Sequence, residues 1–462
     1  MSVASDQSSH THLGICITLT YLVVAASTAE LPVWHYHGYN AFPANFFGAN
    51  ESGLESKGQL AFVARHQLSG WGWQVDQQHH WKGGASEPPC HGGCGFPVNY
   101  SFDESERLFA NAQRLTDFLE HEGGATQGIF AYRQATQANW WFKVDGRDAT
   151  SAHPEHFYKA TDGKLCWQDG PLRDFRVPGA MEYYLSTTIE ELCNQAATGD
   201  LTAVFFDGVD AGGVRQARVN QSFYGGSNCS WGDYDMHTLE ARTAMWAAYR
   251  DTFTRAAVRL NECGLWPIYS MGSAMDTQIS TARGYPGSLS LFVDALETSG
   301  ASWARYYEFW GWSAAGYGIR DALSLTARGV PLVMHSYPGR GGPYDITMGA
   351  AMFLMVQSEY SYFGASVGGI RNNTKFGPWD DPGWIWHDLY DEKPGKPIGD
   401  ATFDTATAIW RRSFTNCEVS VDEKYNKANI TMLSPRREFV QRLSSKDLEW
   451  QEGEWRRIQA FK

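Results

Sequence analysis

The chain has 462 residues, of which 43% are hydrophobic and 19% charged, so it can bury a large globular core. Its formal net charge of −13 argues against nucleic acid as a partner, because phosphate groups require a surface rich in Lys and Arg. The same charge is compatible with a neutral substrate.

The N-terminal segment has the pattern of a secretory signal peptide. Residues 13–27 form the apolar run LGICITLTYLVVAAS, and the small residues Ser27, Thr28 and Ala29 offer a cleavage site. The first twelve residues contain no Lys or Arg, which leaves a retained membrane anchor as the alternative. Because the run is short for a membrane span, we expect residues 1–29 to be removed. The mature protein is then secreted or lies in the secretory lumen, without stable membrane association.

Glycosylation sites and cysteines fit this secretory route. Six Asn-x-Ser/Thr triplets are candidate N-glycosylation sites: Asn50, Asn99, Asn220, Asn228, Asn372 and Asn429. Of the eight Cys, Cys16 lies in the predicted signal peptide, so the remaining odd number leaves at least one free thiol if the others pair. The segment HHWKGGASEPPCHGGCG at residues 79–95 could bind a metal, but an oxidising compartment favours a disulfide-pinned loop.

Short apolar segments bounded by turn residues predict eight strands. They span residues 31–37, 68–73, 128–134, 202–207, 265–271, 289–297, 330–337 and 360–366. Segments with helical periodicity lie between or after them, at residues 101–122, 237–264, 344–357 and 403–414. In the first of these helices, Ser101 and Glu104 are predicted to form a capping box, and Gly123 ends the run.

The alternation of strands and helices predicts an α/β fold with a parallel sheet and helices outside it. Eight such units within residues 30–414 predict a (β/α)8 TIM barrel with long βα-loop insertions at residues 74–100 and 136–178. An open doubly wound sheet is the alternative, although no G-x-G-x-x-G motif follows the first strand. Residues 415–462 begin with an alternation of apolar and polar residues, which predicts a small antiparallel β appendage.

Two acidic residues are candidates for catalysis at the barrel mouth, where the C-terminal ends of TIM-barrel strands meet. Asp207 ends the fourth predicted strand and Glu297 the sixth, so their carboxylates are expected to face each other. Glycoside hydrolysis uses such a pair, one to protonate the departing oxygen and the other to attack the anomeric carbon or activate water. A helix cap or a loop salt bridge is the alternative role for Asp207.

Further residues at the predicted barrel mouth are candidates for substrate binding. They are Asp210, His35, His37, Trp71, Trp73, Gln134, His335 and Tyr337. Flat amphipathic side chains suit the apolar faces and polar edges of sugar rings, although Trp is also a good core residue. A carbohydrate is therefore the expected partner.

Three segments carry a family resemblance: FFDGVD at residues 205–210, FVDALETS at residues 292–299 and the tail from GKPIGDA to RRSFTNCEVSVD. The matching tail residues are Gly395, Pro397, Gly399, Ala401, Arg412, Phe414, Val419 and Val421. In these features the chain resembles uncharacterised glycoside hydrolase-like proteins with a TIM barrel and a short C-terminal β segment. The resemblance covers roughly the second half of the chain. It implies glycosidase chemistry with Asp207 and Glu297 in the active site, and no particular sugar.

Two other functions are alternatives. The sequence WHYHG places His35 and His37 at the end of the first predicted strand, as in metal-dependent amidohydrolase barrels. That chemistry needs further ligands, a Lys or His on the middle strands and an Asp on the eighth, and the predicted strands lack them. A barrel that binds carbohydrate without catalysis is the other alternative. No metal or other cofactor is predicted.

The signal-peptide hypothesis is tested by N-terminal sequencing of secreted material. We expect the mature chain to begin near Glu30, because the small residues before it suit the peptidase. Recovery of an intact Met1 in a membrane fraction would contradict cleavage and indicate an anchor.

Overall fold

A computed structural model describes thirteen parts of the chain. These are residues 60–61, 63–71, 103–139, 142–159, 163, 165–166, 170–209, 239–271, 288–309, 315–336, 346–358, 360–365 and 388–433.

Seven strands of the described residues form one parallel sheet. They are β1 (Leu68–Trp71), β2 (Gly128–Gln134), β3 (Ala203–Asp207), β4 (Trp266–Ser270), β5 (Ala304–Phe309), β6 (Leu332–Ser336) and β7 (Ser361–Ala365). The strands lie in chain order, and each of the six neighbouring pairs is parallel. Nearly every residue of β2 and β3 is buried, as expected for strands covered on both faces.

Helices connect these strands. They are α1 (Glu104–Glu122), α2 (Ala149–Ala152), α3 (Ala180–Tyr184), α4 (Glu190–Ala196), α5 (Leu239–Glu262), α6 (Ser288–Ser299), α7 (Ala315–Thr326) and α8 (Ile346–Val356). A π-helical turn, Leu185–Ile189, joins α3 to α4, and another, Lys143–Asp148, precedes α2. Single 3-10 turns occur at Pro154–His156 and Asp388–Tyr390.

The strand order makes the sheet a barrel rather than an open layer. Crossovers between parallel strands are right-handed, so a sheet whose strands follow in chain order receives all its helices on one face. Phe253 of α5 packs on that face, with its ring centroid 5.6 Å from Phe206 and 5.9 Å from Tyr269. On the opposite face the rings of Phe205 and Tyr306 lie 4.4 Å apart, although β4 separates their strands. The sheet therefore curves to bury its inner face against itself, as in a TIM barrel.

Six of the eight predicted strands are confirmed as β1 to β4, β6 and β7, and the predicted strand at residues 31–37 lies outside the described residues. The helices predicted at residues 101–122, 237–264 and 344–357 are confirmed as α1, α5 and α8. The N-cap of α1 differs from the prediction, because the carboxylate of Asp103 accepts a hydrogen bond from the backbone N–H of Ser105 at 3.0 Å.

The strand predicted at residues 289–297 is wrong, because this segment forms α6. Its buried residues Phe292, Val293 and Leu296 follow helical spacing, and Gly300 ends the helix at φ +73°. The missing strand is β5, which begins five residues after α6. A short apolar run is compatible with a strand or a helix, and in this protein it forms a helix.

The helix predicted at residues 403–414 is also wrong. This segment belongs to a β-hairpin of β8 (Thr402–Asp404) and β9 (Ile409–Ser413), whose turn is held by hydrogen bonds from the backbone N–H groups of Ala406 and Thr407 to Asp404. The predicted hairpin that follows is confirmed as β10 (Cys417–Asp422) and β11 (Lys427–Met432). The antiparallel appendage therefore begins inside the predicted barrel domain of residues 30–414.

The four-stranded appendage packs on α8 through a buried arginine. Arg412 of β9 places its Nη1 2.9–3.0 Å from the carbonyl oxygens of Leu354, Met355 and Gln357 at the C-terminal end of that helix. These carbonyls have no partner within the helix, and they carry the negative end of its dipole. The guanidinium thus caps α8 and ties the appendage to the barrel.

A disulfide and a free thiol lie on this framework. Cys193 of α4 and Cys263, next to the end of α5, form a disulfide, which links these two helices covalently. Cys417 in β10 is a buried free thiol, in keeping with the odd cysteine count. No helix within the described ranges has the length and apolarity needed to cross a membrane.

The cap of α8 predicts a stability difference between two neighbouring arginines. Arg412→Ala leaves three buried carbonyls without their charged donor, so we expect the free energy of unfolding to fall by about 2–4 kcal/mol. Arg411 is exposed on the other face of β9, and Arg411→Ala should change the unfolding free energy by less than about 0.5 kcal/mol. Urea denaturation measures both. Equal midpoints for the two variants would contradict the capping role.

Candidate active site

Asp207 is the last residue of β3, at the C-terminal end of the barrel. Its half-buried carboxylate is oriented by β2, the neighbouring strand. The hydroxyl of Tyr132 donates to Oδ2 of Asp207 at 3.1 Å, and the amide Nε2 of Gln134 lies 3.4 Å from the same oxygen. Tyr132 pairs with Phe205 and Gln134 with Asp207 in the parallel register, so all four residues line one face of the sheet.

The amide of Gln134 is fixed by a second set of bonds. The hydroxyl and backbone N–H of Thr136 donate to Oε1 of Gln134 at 3.3 and 3.4 Å. The amide nitrogen therefore points toward Asp207. The carbonyl of Asp207 accepts from the backbone N–H of Ala135 at 2.8 Å, which locks the strand ends together. Asp207 is held by side chains and backbone at once.

Gly208 is required by this arrangement. Its φ of +75° lies in the left-handed region that favours glycine. A Cβ at this position would approach Oε1 of Gln134 to 3.3 Å and Oγ1 of Thr136 to 3.4 Å. Any side chain here would thus press on the two groups that orient the amide toward Asp207.

A layer of rings lies below the carboxylate inside the barrel. Ring centroids are separated by 5.6 Å between Tyr132 and Phe205, 4.4 Å between Phe205 and Tyr306, and 6.5 Å between Tyr306 and His335. These residues come from β2, β3, β5 and β6 and are all buried. The barrel is therefore filled up to one residue pair below its C-terminal rim.

His335 belongs to this layer. It has no exposed surface, and burial lowers the pKa of its imidazole to about 3. The ring is therefore neutral near pH 7 and cannot serve as a general acid there. The structure assigns His335 to the packed interior rather than to a surface open to substrate.

A second acidic residue, Glu308, lies at the C-terminal end of β5. The contact between Phe205 and Tyr306 defines the stagger between β3 and β5. Asp207 lies two residues beyond Phe205, and Glu308 lies two residues beyond Tyr306. Because strand residues repeat with a period of two, Asp207 and Glu308 lie one layer above the ring pair. The hydrogen-bonded register aligns Phe205 with Ile268 and Ala304, two residues before Tyr306, as expected for tilted barrel strands. Among the residues of the seven described barrel strands, these two are the acidic ones.

Glu297 does not pair with Asp207, and the prediction that it does is wrong. It lies near the end of α6, which leads into the N-terminal end of β5, whereas Asp207 ends β3 at the opposite rim. Its half-exposed carboxylate accepts from Nε of Arg328 at 2.6 Å, and Nη2 of Arg328 also donates to Asp294 at 2.7 Å. Glu297 is a surface ion-pair residue.

The structure tests few of the other predicted site residues. Gln134 contacts Asp207 directly. Trp71 is the last residue of β1, at the same end of the barrel as Asp207. The remaining candidates lie outside the described residues: Asp210, His35, His37, Trp73 and Tyr337.

Two residues of the site were missed at the sequence level. Glu308 was missed because RYYEF was not predicted as a strand, although three aromatic residues in five favour one. Tyr132 has the parity of Gln134 in the confirmed strand β2, so the period of two could have placed both beside Asp207.

Comparison with known proteins gives no family assignment: no family model matches the chain, and no curated protein matches it. Among solved structures it is similar to Aspergillus fumigatus Ega3 in complex with galactosamine, with TM-score 0.35 and 9% identity over 72% of this chain and 92% of that one. It is also similar to the galactosidase domain of alpha-galactosidase-sucrose kinase, AgaSK, with TM-score 0.40 and 13% identity over 87% of this chain and 47% of that one. For beta-galactosidase from the psychrophilic Marinomonas ef1 the TM-score is 0.40 and the identity 9%, over 71% of this chain and 53% of that one. The chain thus spans about half of each galactosidase chain, and TM-scores this low carry no conclusion about family or activity.

The crowding at Gly208 predicts a measurable difference from another left-handed glycine. Gly199 has φ +85° with open space where a Cβ would lie, so Gly199→Ala should cost only backbone strain, about 1–2 kcal/mol of unfolding free energy. Gly208→Ala adds contacts with Gln134 and Thr136 and should cost about 1 kcal/mol more. Denaturant titration of both variants measures the difference. Equal losses would contradict the tight packing around the Gln134 amide.

Proposed function

We propose that the protein is a glycoside hydrolase that uses Asp207 and Glu308 as its pair of carboxylates. The observation that carries the proposal is the ring contact between Phe205 and Tyr306, because Asp207 and Glu308 lie one layer above it on alternate strands. This layer is at the rim where parallel barrels carry their active sites. Glycoside hydrolysis requires two carboxyl groups on opposite sides of the scissile bond. Glu308 thus takes the role that the sequence alone gave to Glu297.

The hydrogen bonds at Asp207 suit it to the ionised role. Donors directed at a carboxylate favour its charged form, and both the Tyr132 hydroxyl and the Gln134 amide point to Oδ2 of Asp207. An ionised, fixed carboxylate can attack the anomeric carbon or remove a proton from water. Glu308 is then the general acid that protonates the departing oxygen.

The substrate class in this proposal is an oligo- or polysaccharide. The packed ring layer closes the barrel below Asp207, so a ligand must bind above the rim, where the long βα connections begin. Sugars present apolar faces to aromatic rings, and 19 Trp residues are available in the chain. The charge of −13 favours a neutral glycan over an anionic one.

Secretion is part of the proposal. The Cys193–Cys263 disulfide is typical of an oxidising compartment. The apolar N-terminal run and the six glycosylation triplets favour the same route. An enzyme that acts on glycans outside the cell would combine these three features.

The proposed catalytic pair is tested with three amide variants. A panel of aryl glycosides and polysaccharides first identifies a substrate that the wild-type protein cleaves. Asp207→Asn and Glu308→Gln should then each lower turnover by about 10²- to 10⁴-fold with little change in thermal stability, because each removes a group that acts in the transition state. Glu297→Gln is the matched control and should leave turnover unchanged, since Glu297 lies at the opposite rim.

Three outcomes would contradict the proposal. Near-normal turnover in Asp207→Asn or Glu308→Gln would remove that residue from the mechanism. Loss of turnover in Glu297→Gln would mean that the wrong rim is active. Binding of a glycan by the wild type without cleavage of any substrate would favour a carbohydrate-binding barrel that lacks catalysis.

A further inference from the structure

A second group of polar side chains lies in the long connection between β2 and α3. The sequence His153-Pro154-Glu155-His156 forms a 3-10 turn at Pro154–His156. Residues three apart are eclipsed in such a turn, so the imidazoles of His153 and His156 stack with ring centroids 4.6 Å apart. Glu155 lies between them, with Oε1 2.9 Å from Nδ1 of His153 and 3.9 Å from Nε2 of His156.

These spacings fit the coordination shell of a small divalent ion. A tetrahedral zinc ion with bonds of about 2.0–2.1 Å holds neighbouring ligand atoms about 3.4 Å apart. The two measured separations, 2.9 and 3.9 Å, lie on either side of that value. The three ligand atoms lie within 4.8 Å of one another. Because the two ring planes are nearly parallel and imidazole lone pairs lie in the ring plane, the half-exposed His153 ring must turn out of the stack for both nitrogens to face one ion.

Tyr183 and Gly179 lie beside the two imidazoles, of which His156 is buried and His153 half-exposed. Tyr183 packs against both rings, with centroids 4.4 Å from His153 and 5.7 Å from His156. Gly179 faces Nε2 of His156, and a Cβ built there would be 3.6 Å from that nitrogen, so the glycine keeps this side open. Tyr183 therefore holds the two imidazoles next to each other by ring packing.

We propose that His153, Glu155 and His156 bind a divalent transition-metal ion, with Zn²⁺ as the best match. Two imidazole nitrogens and one carboxylate oxygen favour zinc over Mg²⁺ or Ca²⁺, which prefer oxygen ligands alone. The three ligands leave a fourth position for water or another small ligand. All three lie within four residues, so the ion orders the turn and closes no long loop. The site uses neither Asp207 nor Glu308 and does not depend on the proposed hydrolase activity.

The test measures zinc binding by the full-length protein. Purified protein is stripped with a chelator, equilibrated with ZnCl₂ and analysed by equilibrium dialysis with elemental analysis. Because other His and Cys residues of the chain also bind zinc ions in principle, the result is a difference between variants. His153→Ala should bind one Zn²⁺ fewer per chain than the wild type at a concentration that saturates the wild-type site. Its affinity at this site should fall by at least about 100-fold.

Two further variants make the result specific. Glu155→Gln, a change of an exposed residue, should also weaken zinc binding while leaving the fold intact. His121→Ala removes an exposed histidine of α1 and should retain the wild-type stoichiometry. Equal zinc stoichiometry and affinity in the wild type and His153→Ala would overturn the proposal. So would an equal loss in His121→Ala, because that result would indicate non-specific surface binding.

Discussion

The structure depends on one constraint: a parallel sheet with all its helices on one face must bury its other face against itself. The seven described strands follow in chain order, so the inner face closes on side chains from alternate strands. Phe205 and Tyr306 meet across the intervening strand, and His335 stacks behind them. This packed interior leaves the rim as the place where polar groups can meet a ligand.

The rim is positioned by buried polar side chains as well as by apolar packing. Arg305 is almost fully buried in β5, yet its Nη1 and Nη2 donate to the carbonyls of Tyr269 and Met271 at 3.2 and 2.7 Å. The guanidinium thereby fixes the C-terminal end of β4 against β5. On the other side of Asp207, the Tyr132 and Gln134 side chains of β2 contact its carboxylate and so fix the C-terminal ends of β2 and β3 against each other. The carboxylate therefore lies in a rigid frame, as preorganised catalytic groups require.

The sequence predicted the strands that are short, apolar and bounded by turns, because burial on both faces selects that composition. It failed at two segments. The run at residues 289–297 is as apolar as a strand, and only the positions of Phe292, Val293 and Leu296 in space distinguish the helix. Residues 403–414 include Arg412, which is buried because it contacts the C-terminal end of α8, far away in the sequence. The local pattern of apolar residues therefore did not indicate strand β9.

These errors explain why the sequence pointed to Asp207 and Gln134 as site candidates but not to Glu308. Asp207 and Gln134 lie in strands that the pattern identified, whereas Glu308 lies in β5, where the charged Arg305 interrupts the apolar pattern. We propose that Asp207 and Glu308 lie at the same barrel rim and act as a pair. The most direct test is the distance between their carboxyl carbons in a crystal structure of the protein. We predict a distance within about 5–9.5 Å, the range that spans retaining and inverting glycosidases. Carboxyl groups much farther apart, or on different faces of the sheet, would contradict it.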